Sequence, residues 1–167
     1  MNNSIPVRIA ILTISDSRTL ETDISGKILA DRVREAGHVL VDRSIEIDDI
    51  DRITDALNIM IDNKNVDVII TTGGTGLTKR DVTPEAFDLV IDKCIPGFGE
   101  LFRILSYKNI GTSTIQSRAM AGVSRGKLLF ALPGSPGAVK DGWDEILKYQ
   151  LDSTHKPCNF FDIISRI

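Results

Sequence analysis

The chain reads TTGGTGLTKRDVTPEA over residues 71–86, and the apolar run Val66–Thr71 that leads into it predicts a buried strand. The glycines after that strand predict a loop whose backbone N–H groups can approach an anion, because glycine lacks a Cβ atom and tolerates positive φ. We expect Thr83 to cap the next helix, with Pro84 at its first position and Glu85 near the positive end of its dipole. The stretch therefore predicts a strand, an anion-binding loop and a helix start in direct succession.

The loop also carries the side chains that phosphate and Mg²⁺ chemistry requires. Lys79 and Arg80 supply positive charge for phosphate oxygens, and Asp81 supplies a carboxylate of the kind that Mg²⁺ prefers. The loop is not a Walker A motif, because Gly-x-x-x-x-Gly-Lys-Ser/Thr is absent, and it lacks the third glycine of the dinucleotide fingerprint. The residues that we expect to surround phosphate with backbone N–H groups are Gly73, Gly74, Thr75 and Gly76.

Length and composition predict one domain over residues 1–167. The chain has 42% hydrophobic residues, enough for a core of its own. Its net charge of −3, from 20 basic and 23 acidic residues interspersed along the chain, argues against nucleic acid as a partner. Cys94 and Cys158 have no Cys or His at metal-ligand spacing, and neither a signal peptide nor an apolar segment of membrane-spanning length is recognisable. We therefore expect a cytoplasmic protein that does not interact with membranes.

Strand and helix patterns alternate along most of the chain. The predicted strands are Val7–Ile14, Val39–Ile47, Val66–Thr71, Arg118–Val123 and Lys127–Leu132. The predicted helices are Ser25–Ala36, one from Asp48 or Asp49 to Asn63, Pro84–Lys93, Gly97–Tyr107, and one after the turn at Pro133–Gly137. This order predicts a three-layer α/β/α sandwich with a mostly parallel sheet. The hairpin at Ser124–Gly126 adds one antiparallel strand.

The predicted strands are followed by residues suited to a phosphate and Mg²⁺ site. In an open α/β sheet, ligands bind outside the carboxyl ends of the strands. Small, polar or acidic residues follow four of them: Ser15-Asp16-Ser17, Asp48-Asp49, Gly73 to Asp81, and Gly134-Ser135-Pro136. A purely structural role remains open for each segment. Asp48 could serve only as a helix cap, and Asp81 could be a cap or a solvated charge. The serine-containing segments could be ordinary turns.

Several motifs together resemble one known family. They are GGTG at residues 73–76, RDVTPEA at 80–86, PGFGE at 96–100, SR at 117–118 and LPGSP at 132–136. This combination is similar to the MoaB/MogA family of molybdenum cofactor biosynthesis, and the similarity covers nearly the whole chain. The segments GTSTIQSRA at 111–119 and PCNF at 157–160 resemble the MoaB branch more closely than the MogA branch.

The resemblance implies a molybdopterin-binding domain and assigns roles to individual residues. Catalytic members of the family transfer AMP from Mg-ATP to the terminal phosphate of molybdopterin, with ATP as co-substrate and Mg²⁺ as cofactor. By position, the functional residues fall on Asp48, Asp81 and Ser117, with both aspartates as Mg²⁺ ligands and Arg118 as a substrate contact. The intact Arg80-Asp81 pair favours an active adenylyltransferase, whereas a protein that binds molybdopterin or a precursor without turnover is the alternative. The family also implies a homotrimer or homohexamer.

Overall fold

The computed structural model describes residues 4–167, and the strands of this part form one six-stranded sheet. In chain order they are Arg8–Ile14 (β1), Val39–Glu46 (β2), Val68–Thr72 (β3), Lys93–Cys94 (β4), Met120–Ser124 (β5) and Lys127–Leu132 (β6). Their order across the sheet is β2-β1-β3-β6-β5-β4. β5 alone runs opposite to the other five strands, so its pairs with β4 and β6 are antiparallel and the remaining pairs are parallel. The prediction of a mostly parallel sheet with one antiparallel strand is confirmed.

Helices cover both faces of the sheet. They are Ile24–Glu35 (α1), Ile50–Asp62 (α2), Thr83–Val90 (α3), Pro96–Ile110 (α4), Pro136–Gly142 (α5), Lys148–Gln150 (α6) and Phe161–Ile164 (α7). A 3₁₀ segment, Gly111–Gln116, follows α4, and a π-helical segment, Trp143–Leu147, joins α5 to α6. Among residues 4–167, no helix is both long enough and apolar enough to cross a membrane.

Two separate cores lie on the two faces of the sheet, because successive residues of a strand point to opposite sides. Ile11 of β1 packs in the core that contains Phe102 of α4 and Trp143. Its neighbour Leu12 packs in the other core, with Leu57 of α2 and Phe87 of α3. The apolar run of β1 is thus buried on both faces, as its sequence predicts, and the three-layer sandwich is confirmed.

The chain differs from the prediction around α3. The predicted helix Pro84–Lys93 ends at Val90, and Lys93–Cys94 forms the short strand β4 beside β5. Thr83 does not cap α3, so that prediction was wrong, and Pro84 is the second helical residue. The Thr83 hydroxyl instead donates to the carbonyl of Gly73 at 2.9 Å, because the turn after β3 leaves that buried carbonyl in need of a donor.

His38 is a buried side chain with a defined structural role. The backbone N–H of Val7 donates to its Nδ1 at 3.2 Å, so its proton resides on Nε2, and its ring packs edge-on against Trp143. Burial lowers the pKa of His38 below its ordinary value of 6.5, although the nearby Asp152 carboxylate partly opposes this shift. The folded chain therefore favours the neutral imidazole.

We expect the free energy of unfolding to fall as the pH drops below about 7, because the unfolded chain then takes up a proton that folded His38 resists. His38→Asn keeps an acceptor near the Nδ1 position but removes the titrating ring. It should lower stability at pH 8 by about 1–2 kcal/mol through lost packing, and it should flatten the pH dependence. Urea unfolding from pH 8 to pH 5 measures both effects, and an unchanged slope in the variant would contradict this role.

Candidate functional site

A cavity of about 530 Å³ opens at the carboxyl ends of β1, β3 and β6. It lies beside the topological switch point between β1 and β3, from which the chain continues to β2 on one side and to β6 on the other. Open α/β folds bind their ligands at such a point. Most residues predicted from the sequence line it: Ser15, Asp48, Gly73, Gly74, Thr75, Gly76, Arg80, Asp81, Ser117, Gly134, Ser135 and Pro136. Asp16, Lys79 and Arg118 do not line it. The predicted segments thus meet around one cavity, although they are far apart in the sequence.

The turn after β3 requires glycine at two successive positions. Gly73 and Gly74 have φ values of +105° and +66°. A Cβ atom on Gly73 would collide with the carbonyl oxygen of Ile14, and one on Gly74 would collide with the Thr83 hydroxyl. The Gly73 N–H donates to the carbonyl of Leu132 at 3.0 Å, which joins the turn to β6. Close packing and positive φ together set this loop conformation.

Asp81 closes the second half of the loop. Its Oδ2 accepts hydrogen bonds from the Thr78 N–H at 2.9 Å and from the Thr78 hydroxyl at 2.6 Å. Partial burial raises the pKa of Asp81, but these hydrogen bonds and one from the Gly76 N–H outweigh it, so the pKa lies below its usual value. A Cβ atom on Gly76 would lie only 2.8 Å from Oδ2, which explains the glycine. Asp81 is therefore a fixed, ionised carboxylate.

Asp48 faces the cavity and leaves the capping of α2 to its neighbour. The Asp49 carboxylate accepts from the Arg52 N–H at 3.0 Å and caps the helix. Burial raises the pKa of Asp48, and the negative charges of Asp16 and Asp81 raise it further, although Arg80 lowers it in part. A carboxylate in this position is stabilised by any cation that enters the cavity.

The two cavity carboxylates suit a magnesium ion that completes its coordination with ligand oxygens. Mg²⁺ is commonly held by one or two carboxylates together with substrate phosphates and water. Asp48 and Asp81 line the same cavity as the glycine turn, and each carboxylate lies close to a glycine of the loop, Gly74 and Gly76 respectively. Across residues 4–167, no group of three His, Cys, Asp or Glu side chains could enclose a metal by itself. Asp48 and Asp81 are thus the cavity residues that could hold Mg²⁺ together with a phosphate ligand.

Arg80 lines the cavity while it is paired with a carboxylate outside it. Its Nε and Nη2 donate to the two oxygens of Asp16 at 2.9 and 2.7 Å, and the Asp48 N–H donates to Asp16 Oδ1 at 3.1 Å. The hydrogen bonds from Arg80, with the one from the Asp48 N–H, hold the pKa of Asp16 below its usual value. Lys79, the other predicted cation of the loop, is exposed and does not line the cavity.

Arg118 supports the glycine loop from outside the cavity. Its guanidinium donates to the carbonyl oxygens of Gly76 and Asp81, each at 2.8 Å, and forms an ion pair with Glu85 of α3. The neighbouring Ser117 does line the cavity. In this structure Arg118 holds loop carbonyls, so the predicted substrate contact remains a prediction.

The turn before α5 both starts the helix and lines the cavity, which are the two roles that the sequence left open. The Ser135 hydroxyl accepts from the Ala138 N–H at 3.2 Å and caps α5, while Gly134, Ser135 and Pro136 also line the cavity. Ser25 at the start of α1 donates to the Gly134 carbonyl at 2.8 Å. The turn is therefore bonded to a cavity residue of α1.

Sequence reasoning missed a group of cavity residues near the start of α1. Asp23 lines the cavity, caps α1 through the Gly26 N–H at 2.9 Å, and accepts from Thr13 at 2.7 Å and from Arg43 at 3.0 Å. An aspartate directly before a helix is a typical N-cap and could have indicated this residue. It was overlooked because the helix was predicted to begin at Ser25, one residue later than it does. Arg18 also lines the cavity, and it forms no ion pair with any carboxylate among residues 4–167.

The fold and the cavity define an α/β/α protein with a glycine-rich, carboxylate-bearing ligand site at the rim of a mostly parallel sheet. Residues 10–153 match the family described as the probable molybdopterin binding domain. The chain belongs to this family of molybdenum cofactor biosynthesis proteins, in its MoaB branch. The resemblance seen in the sequence is thereby confirmed.

Relatives with known structures or curated names support the assignment along most of the chain. Molybdenum cofactor biosynthesis protein B of Escherichia coli (strain K12) is 48% identical over 156 residues, which cover 93% of this chain and 92% of that protein. A crystal structure of a molybdenum cofactor biosynthesis protein B superposes with a TM-score of 0.86 at 46% identity, covering 88% and 92% of the two chains. The tungsten cofactor synthesizing protein MoaB from Pyrococcus furiosus gives 0.76 at 35% identity, covering 85% and 91%.

We expect Gly73→Ala to damage both the fold and the cavity. The substitution should lower the free energy of unfolding by about 2 kcal/mol, because the Cβ atom meets the Ile14 carbonyl and φ is positive. Gly137→Ala is the matched control, since a Cβ atom there has open space and lies in the first turn of α5. Thermal and urea unfolding measure the difference. Equal stability of the two variants would show that the turn does not require glycine.

Proposed function

We propose that the protein acts in molybdenum cofactor biosynthesis as a Mg-ATP-dependent adenylyltransferase that acts on the molybdopterin phosphate. The observation that carries the proposal is the position of Asp48 and Asp81, two carboxylates that line one cavity with the glycine turn and Arg80. Membership of the molybdopterin-binding family and the names of the relatives support the pathway and the pterin. The cavity volume of about 530 Å³ also falls in the usual range for small-molecule sites.

The proposed reaction joins two phosphate-bearing molecules. An oxygen of the molybdopterin phosphate attacks the α-phosphorus of ATP, a new P–O bond forms, and the bond to the β-phosphate breaks to release pyrophosphate. Such a transfer depends mainly on alignment of the reactants and on neutralisation of phosphate charge. Protein groups therefore need to hold phosphates in place rather than to form a covalent intermediate.

The chain offers groups for each of these tasks. Arg80 and Arg18 bring positive charge to the cavity. The backbone N–H groups of Gly74 and Thr75 are offered to phosphate oxygens, whereas those of Gly73 and Gly76 are already bonded to Leu132 and Asp81. Asp48 and Asp81 would hold Mg²⁺. When bound, this ion supplies neutralisation of the phosphate charge and fixes the orientation of its oxygens. Ser117 lies at the wall of the same cavity, within the set of residues that a substrate can contact.

The decisive experiment incubates the protein with molybdopterin, ATP and Mg²⁺ and separates the products chromatographically. We expect adenylylated molybdopterin and pyrophosphate to form in equal amounts. Tight binding of molybdopterin by folded protein without this product would favour the non-catalytic binding protein instead. Release of phosphate or pyrophosphate without pterin would indicate a hydrolase.

Asp81→Asn tests the proposed metal role within that assay. The amide keeps the shape and the Thr78 contact but removes the charge, so we expect kcat/KM to fall about 100-fold and more Mg²⁺ to be needed for half-maximal rate. Asp88→Asn is the control, because Asp88 is an exposed carboxylate of α3 that does not line the cavity. A wild-type rate with unchanged Mg²⁺ dependence in Asp81→Asn would remove Asp81 from the mechanism.

We also propose that the chain forms a homotrimer or homohexamer through the outer side of α4. Large apolar side chains that do not line the cavity are exposed on this helix and on the 3₁₀ segment that follows it: Leu101, Ile104, Tyr107 and Ile115. Ile104 is 61% exposed and Ile115 is 82% exposed. An apolar surface of this kind is typical of an interface with another protein chain, and the family resemblance favours further copies of the same chain.

Ile104→Glu should dissociate the assembly, because it places a charge within the apolar surface. Light scattering after gel filtration should give a multiple of the 18.3 kDa chain mass for the wild type and a smaller mass for the variant. Ile59→Glu is the matched control, since Ile59 is 72% exposed on α2, on the other face of the sheet. A monomeric wild-type protein would contradict the proposal.

A further inference from the structure

Asp16 connects three segments at the edge of the cavity without lining it. Its two oxygens accept from Arg80 of the glycine loop, at 2.9 and 2.7 Å, and Oδ1 also accepts from the backbone N–H of Asp48 at 3.1 Å. Asp16 itself belongs to the segment that follows β1. One carboxylate therefore links the loops after β1, β2 and β3, which are the loops that carry the proposed phosphate and metal ligands.

The geometry of the ion pair leaves part of Arg80 available to a ligand. The pair uses the edge of the guanidinium formed by Nε and Nη2, so Nη1 and the second hydrogen of Nη2 are not engaged by Asp16. Arg80 lines the cavity and Asp16 does not. Arg80 can therefore donate to a phosphate in the cavity while it keeps both hydrogen bonds to Asp16.

A direct contact between Asp16 and phosphate is unfavourable, since both groups are negative. Asp16 is ionised at neutral pH, as an aspartate with an ordinary pKa of about 4 already is. Asp16 instead favours binding of an anionic ligand indirectly, because its hydrogen bonds hold the Arg80 side chain in one orientation. That side chain is 60% exposed and has several rotatable bonds, so without Asp16 it would lose much freedom when a phosphate binds.

We propose that Asp16 is a positioning residue, which orients Arg80 toward ligand phosphate and couples it to the loop that carries Asp48. The proposal rests on the proposed function only in taking a phosphate-bearing molecule as the ligand. It assigns to Asp16 a role different from the direct substrate contact predicted from the sequence. The competing possibility is that Asp16 and phosphate compete for Arg80, which gives the opposite effect on affinity.

The test measures binding of ATP with Mg²⁺, and of inorganic pyrophosphate, by calorimetry. Asp16→Asn, Arg80→Gln and the double variant are compared with the wild type. We expect Asp16→Asn to weaken binding about tenfold, because it removes the charged hydrogen bonds that orient Arg80. In the double variant we expect no further loss beyond that of Arg80→Gln, because the two residues act through one contact.

Two further variants separate positioning from a general effect of charge. Asp16→Glu keeps the charge but displaces the carboxylate by one methylene, so it should also weaken binding. Asp31→Asn changes charge by the same amount at an exposed ion pair with Lys27 on α1, away from the cavity, and it should bind like the wild type. Circular dichroism of each variant verifies that the fold is retained, as expected for a side chain that is 45% exposed.

The possible results separate a failure of the Asp16 role from a failure of the adenylyltransferase proposal. Unchanged or tighter binding by Asp16→Asn would overturn the positioning role, as would additive losses in the double variant. Absence of binding of both probes to the wild type would overturn it too, because Arg80 would then meet no phosphate. If coupling is found but no adenylylated pterin forms in the turnover assay, the adenylyltransferase proposal fails while the role of Asp16 stands.

Discussion

The sharp turn at the end of β3 is the constraint on which the site depends. Gly73 lies so close to the end of β1 that any side chain would meet the Ile14 carbonyl, and its φ of +105° suits glycine alone. Its N–H bonds to Leu132 of β6, and its carbonyl accepts from Thr83 of α3. One residue thus connects two strands and a helix. This connection brings the glycine loop, the segment at Asp48 and the turn before α5 around one cavity.

The charges around the cavity are only partly balanced within the protein. Asp23 is neutralised by Arg43, and Arg80 by Asp16. Among residues 4–167 Asp48 has no ion-pair partner. Burial and the neighbouring carboxylates raise its pKa, which makes a cation in the cavity favourable. Arg18 offers positive charge to an anion. A ligand that brings phosphates together with a divalent cation would satisfy both needs, which is why the proposed chemistry suits this arrangement.

Local patterns predicted the sheet and most of the site because they depend on short-range properties. The continuous apolar runs of β1 and β3 indicate strands buried on both faces, and parallel strands place their carboxyl ends at one edge. The two-residue strand β4 was missed because such a short strand carries no periodicity and depends on pairing with β5. The position of Asp48 was ambiguous for a similar reason, since either of two adjacent aspartates can cap α2.

The sequence by itself determined the class of fold, the glycine-rich loop after β3 and the family, because apolar periodicity, glycine and residue spacing are visible along the chain. Only the tertiary structure decided which polar side chains face the cavity and which support it. Asp16 and Arg118, which the sequence predicts as ligand contacts, lie outside the cavity lining, where Asp16 holds Arg80 and Arg118 holds loop carbonyls. Such contacts join residues more than thirty positions apart, and their geometry exists only when the loops are packed together.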